Sequence, residues 1–408
     1  MYSLTTPQKN IWNLQKFYSD SSISNISGML TFDKLLDTDM LEKAVNKFVK
    51  EQNGIRLRFT EKGRDVYQYV TEYEYINIPV KSFGSINKAR NFFASDSHTP
   101  FCMTDSPMYR FYIFVTPEKS GVYPCFSHLI SDAWTLSIFC RSVMENYSLL
   151  RDGQDIIDNS ISYLDYVQSE EKYMNSQKFV KDSDYWNNKF ISKPELTKIK
   201  PCCEESKTAK AKRITNILDK NTSADLKNWC SDNSCSLAVL FEAAMFIYLH
   251  RINEHGNEVF IGVPVLNRST HHEKEIAGMF ISTMPLGVNV SDSDTIHSLC
   301  DKISYAHREM FSHQKFPYSE ILKIVREKHD FYGNLYNVMV SYQNASVDSS
   351  ANINYSTEWL HNGYSEIPLA LHIDDRDDSA ALTVNMDYQV DVFSSQEAKL
   401  LFDRLLYR

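Results

Sequence analysis

The 408-residue sequence lacks several patterns that would assign it to a class of protein. No apolar run approaches the roughly 20 residues that span a bilayer, and the N-terminus has no charged-then-apolar secretion signal. The eight cysteines form no C-x-x-C pair, which favours reduced thiols over a disulfide framework or a zinc site, and the adjacent Cys202 and Cys203 are not expected to bridge to each other. We therefore expect a cytoplasmic protein with no membrane span and no bound metal.

Runs of positive charge are also scarce. The formal net charge is -9, and no stretch of lysine and arginine is interleaved with aromatics, which argues against nucleic acid as a partner. Residues 207–213 form the one basic cluster of the sequence. It follows two glutamates and has no glycine-rich turn, so we interpret it as a solvated loop and not as a phosphate site.

Apolar content is ample, with 43% hydrophobic residues, and a chain of this length exceeds what one ordinary core supports. Two domains, or two halves of one fold, are expected. Apolar residues at helical spacing predict helices over 41–49 and 236–249, with others at 295–311, 319–328 and from Ser394, where Glu397 completes a capping box. Alternation and β-branched content predict strands at 55–59, 66–70, 76–80, 109–115, 122–127, 259–265, 335–342, 368–373 and 380–388.

These patterns define an α/β class of layered helices and sheets. From residue 168 to 213 the chain is polar and contains Pro194 and Pro201, which predicts a connector. We place the boundary near Asp182, giving an N-terminal subdomain of residues 1–181 and a C-terminal subdomain of residues 182–408.

The segment 126–135, F-S-H-L-I-S-D-A-W-T, places His128 at the end of a predicted strand and Asp132 where a helix begins. Catalytic side chains are common at such junctions. By itself the spacing is explained as well by a helix start capped by Ser131 or Asp132. A serine triad is excluded, because Ser127, His128 and Asp132 lie within six residues and cannot form the required chain of hydrogen bonds.

The spacing resembles the H-H-x-x-x-D-G signature of condensation domains of nonribosomal peptide synthetases, with His128 as the second histidine and Asp132 as the aspartate. Ser127 and Ala133 depart from it. Other segments resemble the family's motifs in the expected order: 4–12, 54–59 with Arg56, 163–166 with 184–186, 261–268 with Arg268, 278–286, and 313–318. The resemblance spans nearly the whole chain.

This resemblance implies two chloramphenicol-acetyltransferase-like halves in a V, with His128 in a central tunnel. It implies that His128 is the catalytic residue, either as a base for the attacking amine or as a group that positions the amine and stabilises the adduct. We expect Asp132 to face away from the substrate and to pair with an arginine, with Arg268 the first candidate and Arg56 the second.

Other residues of the resembling segments are expected near the tunnel. Ser127 is expected to give structural support. Ala133 adds a methyl group where the family has glycine, and we expect this methyl group to narrow the acceptor side of the tunnel. The remaining candidates for the tunnel lining are Trp134, Ser282, Thr283 and Gln343. His271 and His272 fit no common zinc spacing and are interpreted as a polar turn, and His313 as a structural turn.

The run at 16–28 is similar to starter condensation domains of lipopeptide synthetases of the surfactin type, which use a fatty acyl donor. This implies N-acylation of an aminoacyl group on a carrier protein, with the donor on coenzyme A or an acyl-carrier protein. The domain itself is expected to bind no cofactor. The positions of Met1 and Arg408 suggest a first module with adenylation and carrier partners downstream, or a free-standing enzyme.

Two alternatives remain open from the sequence. One is an elongation condensation domain that takes a peptidyl-carrier donor, or an ester-forming relative, since these share the same motifs. The other is a non-catalytic recruitment platform of the same fold, which Ser127 and Ala133 keep open and His128 argues against.

Overall fold

A computed structural model describes residues 1–154, 159–200, 207–253, 258–344, 353–376 and 381–406. The helices within these ranges are α1 Thr6–Phe17, α2 Thr38–Glu51, α3 Ile86–Asp96, α4 Ala133–Arg151, α5 Leu164–Met174, α6 Gln177–Lys189, α7 Lys220–Asp232, α8 Leu237–Ile252, α9 His271–Glu275, α10 Ile296–Ser312, α11 Tyr318–His329 and α12 Ser395–Leu406. The strands are β1 Tyr2–Ser3, β2 Asn25–Phe32, β3 Leu57–Lys62, β4 Asp65–Val70, β5 Val80–Ser82, β6 Tyr109–Val115, β7 Ser120–Ser127, β8 Ala211–Ile217, β9 Glu258–Val265, β10 Ser282–Asn289, β11 Val338–Gln343, β12 Tyr355–Leu360, β13 Leu369–Asp374 and β14 Thr383–Gln389.

The chain divides into two compact units. Unit 1 comprises Met1–Lys172, Arg268–Phe280 and Ala345–Gly363, and unit 2 comprises Tyr173–Asn267, Ile281–Asn344 and Tyr364–Arg408. Each unit therefore draws residues from both sides of the boundary predicted near Asp182, because two later segments belong to unit 1 and residues 173–181 belong to unit 2.

Unit 1 is built on a five-stranded sheet in the order β12-β2-β7-β6-β5, beside a three-stranded sheet β1-β4-β3. The central strands β2 and β7 are buried along their whole length, which their apolar and small residues allow. Helices α2 and α4 contribute to a large core cluster, while α3 contributes Phe93 to a smaller one that includes Phe114 and Tyr123. Strand β7 thus runs through the middle of the core and ends at Ser127.

Unit 2 is built on a six-stranded sheet in the order β10-β9-β11-β13-β14-β8. Alternate residues of β14, Val384, Met386 and Tyr388, belong to a core that α8 and α10 also build. The intervening positions carry Asn385 and Asp387. This alternation is the period-two pattern of a strand with one apolar face.

Most of the predicted elements are present within one to three residues of their predicted ends. Strand β6 covers 109–115 as predicted, and α8 covers the apolar run at 236–249. The predicted capping box of α12 is formed, since Ser394 N–H donates to Glu397 and the Glu397 N–H donates to the Ser394 hydroxyl. Of the predicted strand 380–388 the structure shows Thr383–Gln389, and residue 380 lies outside the described ranges, as do Cys202 and Cys203.

The predicted bounds of two strands were wrong, and the prediction for residues 168–213 was incomplete. Residues 76–79 are not a strand, because side chains satisfy their backbone: the Asn46 amide bonds both N–H and C=O of Ile76, and Glu42 accepts from Ile78 N–H. Residues 53–56 form a 3-10 turn before β3. The polar stretch 168–213 is not only a connector, since it holds α6, whose Trp186 is buried in unit 2.

Within the described ranges, no single helix has the length and apolar character to cross a bilayer. Helices α7 and α8 meet the length and composition requirement only as a pair, and they are bent by 96° at the break between them.

Gly121 in β7 is a position where the core leaves no room for a side chain. A Cβ there would lie 2.3 Å from the Leu30 carbonyl oxygen and 2.3 Å from the Phe114 ring. We predict that Gly121→Ala lowers the free energy of unfolding by about 1–3 kcal/mol, the usual range for overpacking, in chemical denaturation. Gly84→Ala is the control, since its Cβ would meet only the flexible Lys88 side chain, at 3.7 Å from Nζ and 4.0 Å from Cδ. Equal losses in both variants would contradict the prediction.

Candidate active site

The candidate site lies in unit 1 at the turn that joins β7 to α4. Strand β7 ends at Ser127, α4 begins at Ala133, and the turn between them carries His128. The turn is fastened at its first residue, since the His128 N–H donates to the Ser24 carbonyl at 2.6 Å. Asp132 is the N-cap of α4, with its side chain accepting from Thr135 N–H at 2.9 Å. The structure thus confirms the predicted positions of His128 at a strand end and of Asp132 where a helix begins, and of the two capping residues considered it shows Asp132 as the cap.

The partly buried imidazole of His128 has a defined tautomer. Its Nδ1 lies 2.8 Å from the Ser131 carbonyl oxygen, which can only accept, so Nδ1 must carry the proton. The neutral ring consequently presents Nε2 as an unprotonated base. Desolvation lowers the pKa of His128 below its ordinary value, and the negative charge of Asp132 opposes this only in part. Nε2 is thus ready to take a proton at neutral pH.

Asp132 is paired with Arg268, the first of the two predicted candidates. Arg268 Nη1 donates to Asp132 Oδ2 at 2.7 Å and Nη2 donates to Oδ1 at 3.1 Å, and both side chains are completely buried. Two parallel bonds of this kind require a guanidinium and orient the carboxylate. Because its charge is directed to Arg268, Asp132 is not the hydrogen-bond partner of His128.

The same ion pair attaches the returning segment Arg268–Phe280 to the start of α4. Phe280 N–H donates to Asp132 Oδ2 at 3.1 Å, and its ring centroid lies 4.0 Å from the Arg268 guanidinium carbon. The Thr135 hydroxyl accepts from Gly278 N–H at 3.0 Å. Trp134 Nε1 donates to the Lys274 carbonyl at 2.8 Å. Three residues at the helix start, Asp132, Trp134 and Thr135, therefore hold this segment.

Two other candidates of unit 1 have structural surroundings. The Ser127 hydroxyl is buried and accepts from Leu129 N–H at 3.3 Å, inside the turn. Arg56 does not contact Asp132: its guanidinium donates to the Val49 carbonyl at 2.7 Å and the Thr71 carbonyl at 3.1 Å. Ala133 is partly exposed at the first position of α4.

The remaining candidates belong to unit 2 and share one edge of its sheet. Ser282 begins β10 and pairs with Val265 at the end of β9, and Gln343 ends β11, which runs parallel to β9. The Ser282 hydroxyl accepts from the Asn267 amide at 2.9 Å. Thr283 is bonded through its carbonyl, which accepts from the Tyr336 hydroxyl at 3.3 Å. The Gln343 side-chain oxygen is buried and has no partner within the described ranges.

Sequence reasoning missed the groups that hold the site together. The Ser131 carbonyl was not identified, since any residue supplies one. Tyr163, completely buried, donates to the Met279 carbonyl at 2.6 Å and contacts the Thr5 hydroxyl at 3.2 Å. A signal existed for Tyr163, because it opens one of the motif segments, but nothing in that segment indicates its partners.

Two of the other histidines considered in the sequence, His272 and His313, have local partners. His272 is exposed, with Nε2 3.2 Å from an Asp165 oxygen. In unit 2, His313 Nδ1 lies 2.6 Å from Asp182 Oδ1, and its ring stacks on Tyr185 with centroids 3.9 Å apart. His313 thus fastens the turn after α10, as expected for a structural role.

The fold and the site define a condensation domain. The family model described as Condensation domain matches residues 1–407, so the chain belongs to this family of nonribosomal peptide synthetase domains, which catalyse amide-bond formation. The solved structures described below confirm the predicted chloramphenicol-acetyltransferase-like fold.

The curated relatives include several proteins from Bacillus subtilis (strain 168). The chain is 29% identical to surfactin synthase subunit 1 over 99% of its own length and 12% of that protein. It is 23% identical to a dimodular nonribosomal peptide synthase over 99% of its length and 17% of that protein. The chain therefore spans only a small part of the curated relatives that it matches.

Among solved structures, the starter condensation domain of rhizomide synthetase in complex with C8-CoA matches with a TM-score of 0.87 and 21% identity, over 100% of this chain and 93% of that chain. The first condensation domain of the calcium-dependent antibiotic synthetase matches with a TM-score of 0.88 and 18% identity, over 100% and 94%. At these identities the likeness shows the fold.

The buried ion pair predicts that Asp132→Ala damages folding more than chemistry. The change leaves the Arg268 guanidinium buried without its counter-charge, which typically costs about 3–5 kcal/mol. We expect a large loss of thermal stability, measured by calorimetry, while the control Asp152→Ala, which breaks the exposed pair with Arg151, changes it little. A soluble Asp132→Ala protein with unchanged melting and lost activity would contradict the prediction.

The lowered pKa of His128 predicts a stability difference that depends on pH. As pH falls, the unfolded histidine binds a proton before the folded one does, so acid favours unfolding of the wild type. We expect the melting temperature of wild type, relative to His128→Gln, to change little above about pH 7.5 and to decline between about pH 7 and about pH 5, as pH falls through the ordinary histidine pKa of 6.5. A difference that stays constant over this range would show that the folded pKa is not lowered.

Proposed function

We propose that this condensation domain is a starter domain, which joins a fatty acyl thioester to the α-amine of an aminoacyl group on a carrier protein. The observation that carries the reaction is the tautomer of His128, whose Nδ1–H is held by Ser131 and whose Nε2 is unprotonated. The donor class is supported by the similarity of residues 16–28 to starter domains and by the relatives, which include surfactin synthase subunit 1 and the rhizomide starter domain with C8-CoA.

The proposed chemistry needs only one proton-accepting group. The α-amine has an ordinary pKa of about 8, so a useful fraction is already uncharged and nucleophilic near neutral pH. It attacks the thioester carbonyl, the nitrogen loses a proton to His128 Nε2, and the carbon–sulfur bond of the tetrahedral adduct breaks. The departing thiolate takes up that proton, which leaves an amide and a free thiol, so atoms and charge balance.

The partners follow from the same proposal. Both substrates arrive as thioesters, the donor on coenzyme A or an acyl-carrier protein and the acceptor on the phosphopantetheine of a carrier protein. An adenylation domain is needed to load the amino acid. The domain itself contributes His128 and the scaffold around it and holds no permanent cofactor in this proposal.

We propose that the Ala133 methyl group narrows the space through which the acceptor substrate approaches. It stands at the first position of α4, one residue after the cap, and carries a methyl group where the resembling signature has glycine. Ser127 is proposed to support the turn only, in agreement with its buried hydroxyl and its bond from Leu129 N–H.

The proposal predicts a mass shift on a carrier protein. A carrier loaded with aminoacyl-phosphopantetheine is incubated with a panel of acyl-CoA donors and analysed by intact-protein mass spectrometry. Wild type is expected to add the acyl mass, and His128→Ala to reduce the rate by about 100-fold or more, a typical size for loss of a general base. The exposed His297 in unit 2 provides the control variant, His297→Ala, with an unchanged rate.

The outcomes separate the alternatives. Acylation from a peptidyl-carrier donor but from no acyl-CoA would contradict the starter assignment and favour elongation. Failure with every donor, in a folded protein, would favour a recruitment platform. Full activity of His128→Ala would remove His128 from the chemistry.

A further inference from the structure

Helix α1 buries two amide side chains where apolar ones would suffice for packing. Its buried residues are Pro7, Gln8, Trp12 and Gln15, with Gln8 at 0% and Gln15 at 3% exposure. Seven residues are almost two full turns, so the two glutamines lie on one face, roughly 10 Å apart along the axis. A buried amide costs free energy unless its hydrogen bonds are made, so the partners of both side chains are informative.

Gln8 uses each end of its amide. Its Oε1 accepts from Thr5 N–H at 2.9 Å, which completes the capping box of α1. Its Nε2 donates to Gln68 Oε1 at 2.8 Å and to the Leu129 carbonyl at 3.1 Å. Leu129 directly follows His128. The cap alone would need only the oxygen, and the nitrogen attaches the helix to the turn that carries His128.

Gln15 acts on the other side of the same turn. Its Nε2 donates to the Ser21 carbonyl at 2.8 Å and the Tyr18 carbonyl at 3.1 Å, and its Oε1 accepts from both the N–H and the hydroxyl of Ser24. The Ser24 carbonyl in turn accepts the His128 N–H at 2.6 Å. Gln15 therefore holds Ser24 in place, and Ser24 in turn holds the backbone N–H of His128.

We infer that α1 positions the catalytic histidine, with Gln8 and Gln15 as positioning residues that hold the backbone on either side of His128. Neither glutamine is hydrogen-bonded to the imidazole among the described contacts, so they act through Leu129 and Ser24. The inference rests on the catalytic role proposed for His128. A displacement of about 1 Å at a reacting group costs up to 100-fold in rate, so loss of these bonds is expected to lower kcat and to leave KM nearly unchanged.

The test replaces each glutamine by methionine, which keeps the length and removes the hydrogen bonds, in Gln8→Met, Gln15→Met and the double variant. Asn46→Leu is the matched control. Asn46 is also a buried amide of unit 1 with both ends bonded, to Glu42, Tyr73 and Ile76, none of which belongs to the turn at 127–132. The activity readout is kcat and KM in the carrier acylation assay.

A second readout does not depend on activity. The ring resonances of His128 are followed by NMR in protein labelled at histidine and assigned with His128→Gln. We expect a changed His128 resonance and a kcat reduced by about 10- to 100-fold in each methionine variant, with neither effect in Asn46→Leu. Because both glutamines act on one turn, the double variant should lose less than the product of the single losses.

The outcomes are distinguishable from failure of the proposed function. If wild type has no acylation activity, the resonance of His128 still reports whether the two glutamines position it. An unchanged resonance and unchanged kcat in both variants would overturn the inference, as would equal effects in Asn46→Leu. If a methionine variant fails to fold, Gln8→Asn and Gln15→Asn shorten the side chain by one methylene, retain its polarity, and are expected to give the same changes at smaller size.

Discussion

The buried pair of Arg268 and Asp132 is the constraint on which the site in unit 1 depends. Neither side chain reaches solvent, so each charge needs the other, and the two parallel bonds allow one geometry. Asp132 is also the cap of α4, and Arg268 begins the returning segment that ends at Phe280. One interaction therefore sets where the helix starts and where a distant stretch of chain is attached.

This arrangement leaves His128 with a neutral partner. The carboxylate four residues away is directed to Arg268, and the imidazole is held by the Ser131 carbonyl. A carbonyl orients the ring and fixes its tautomer without adding the full negative charge that would strongly favour the imidazolium. Burial then lowers the pKa of His128, and the neutral base persists at neutral pH. These properties suit a reaction whose nucleophile is an amine that is already partly uncharged.

In unit 1, apolar side chains provide the packing and polar side chains provide the positioning. Apolar side chains on both faces of β2 and β7 form its two core clusters, and they carry no information about where an imidazole should point. Polar groups in the same interior do, because a hydrogen bond has a direction and an unsatisfied group is costly. Gln8 bonds the Leu129 carbonyl, Gln15 bonds the backbone of Ser24 beside the turn, and Tyr163 bonds the Met279 carbonyl in the returning segment.

The sequence by itself determined the elements with a clear apolar pattern, β6 and α8 among them. Burial of one face of a strand, or of a whole helix, requires apolar residues in a recognisable arrangement. It also determined the junction of His128 and Asp132. The chemistry of a carboxylate favoured an arginine partner, and the resemblance to the condensation family indicated Arg268 as the first candidate. Only the tertiary structure decided that Arg56 serves other carbonyls, that residues 76–79 are not a strand, and that Ser131 holds the imidazole. A sequence does not show which backbone carbonyl or which amide side chain will be bonded, because the partners are selected only when distant segments come into contact.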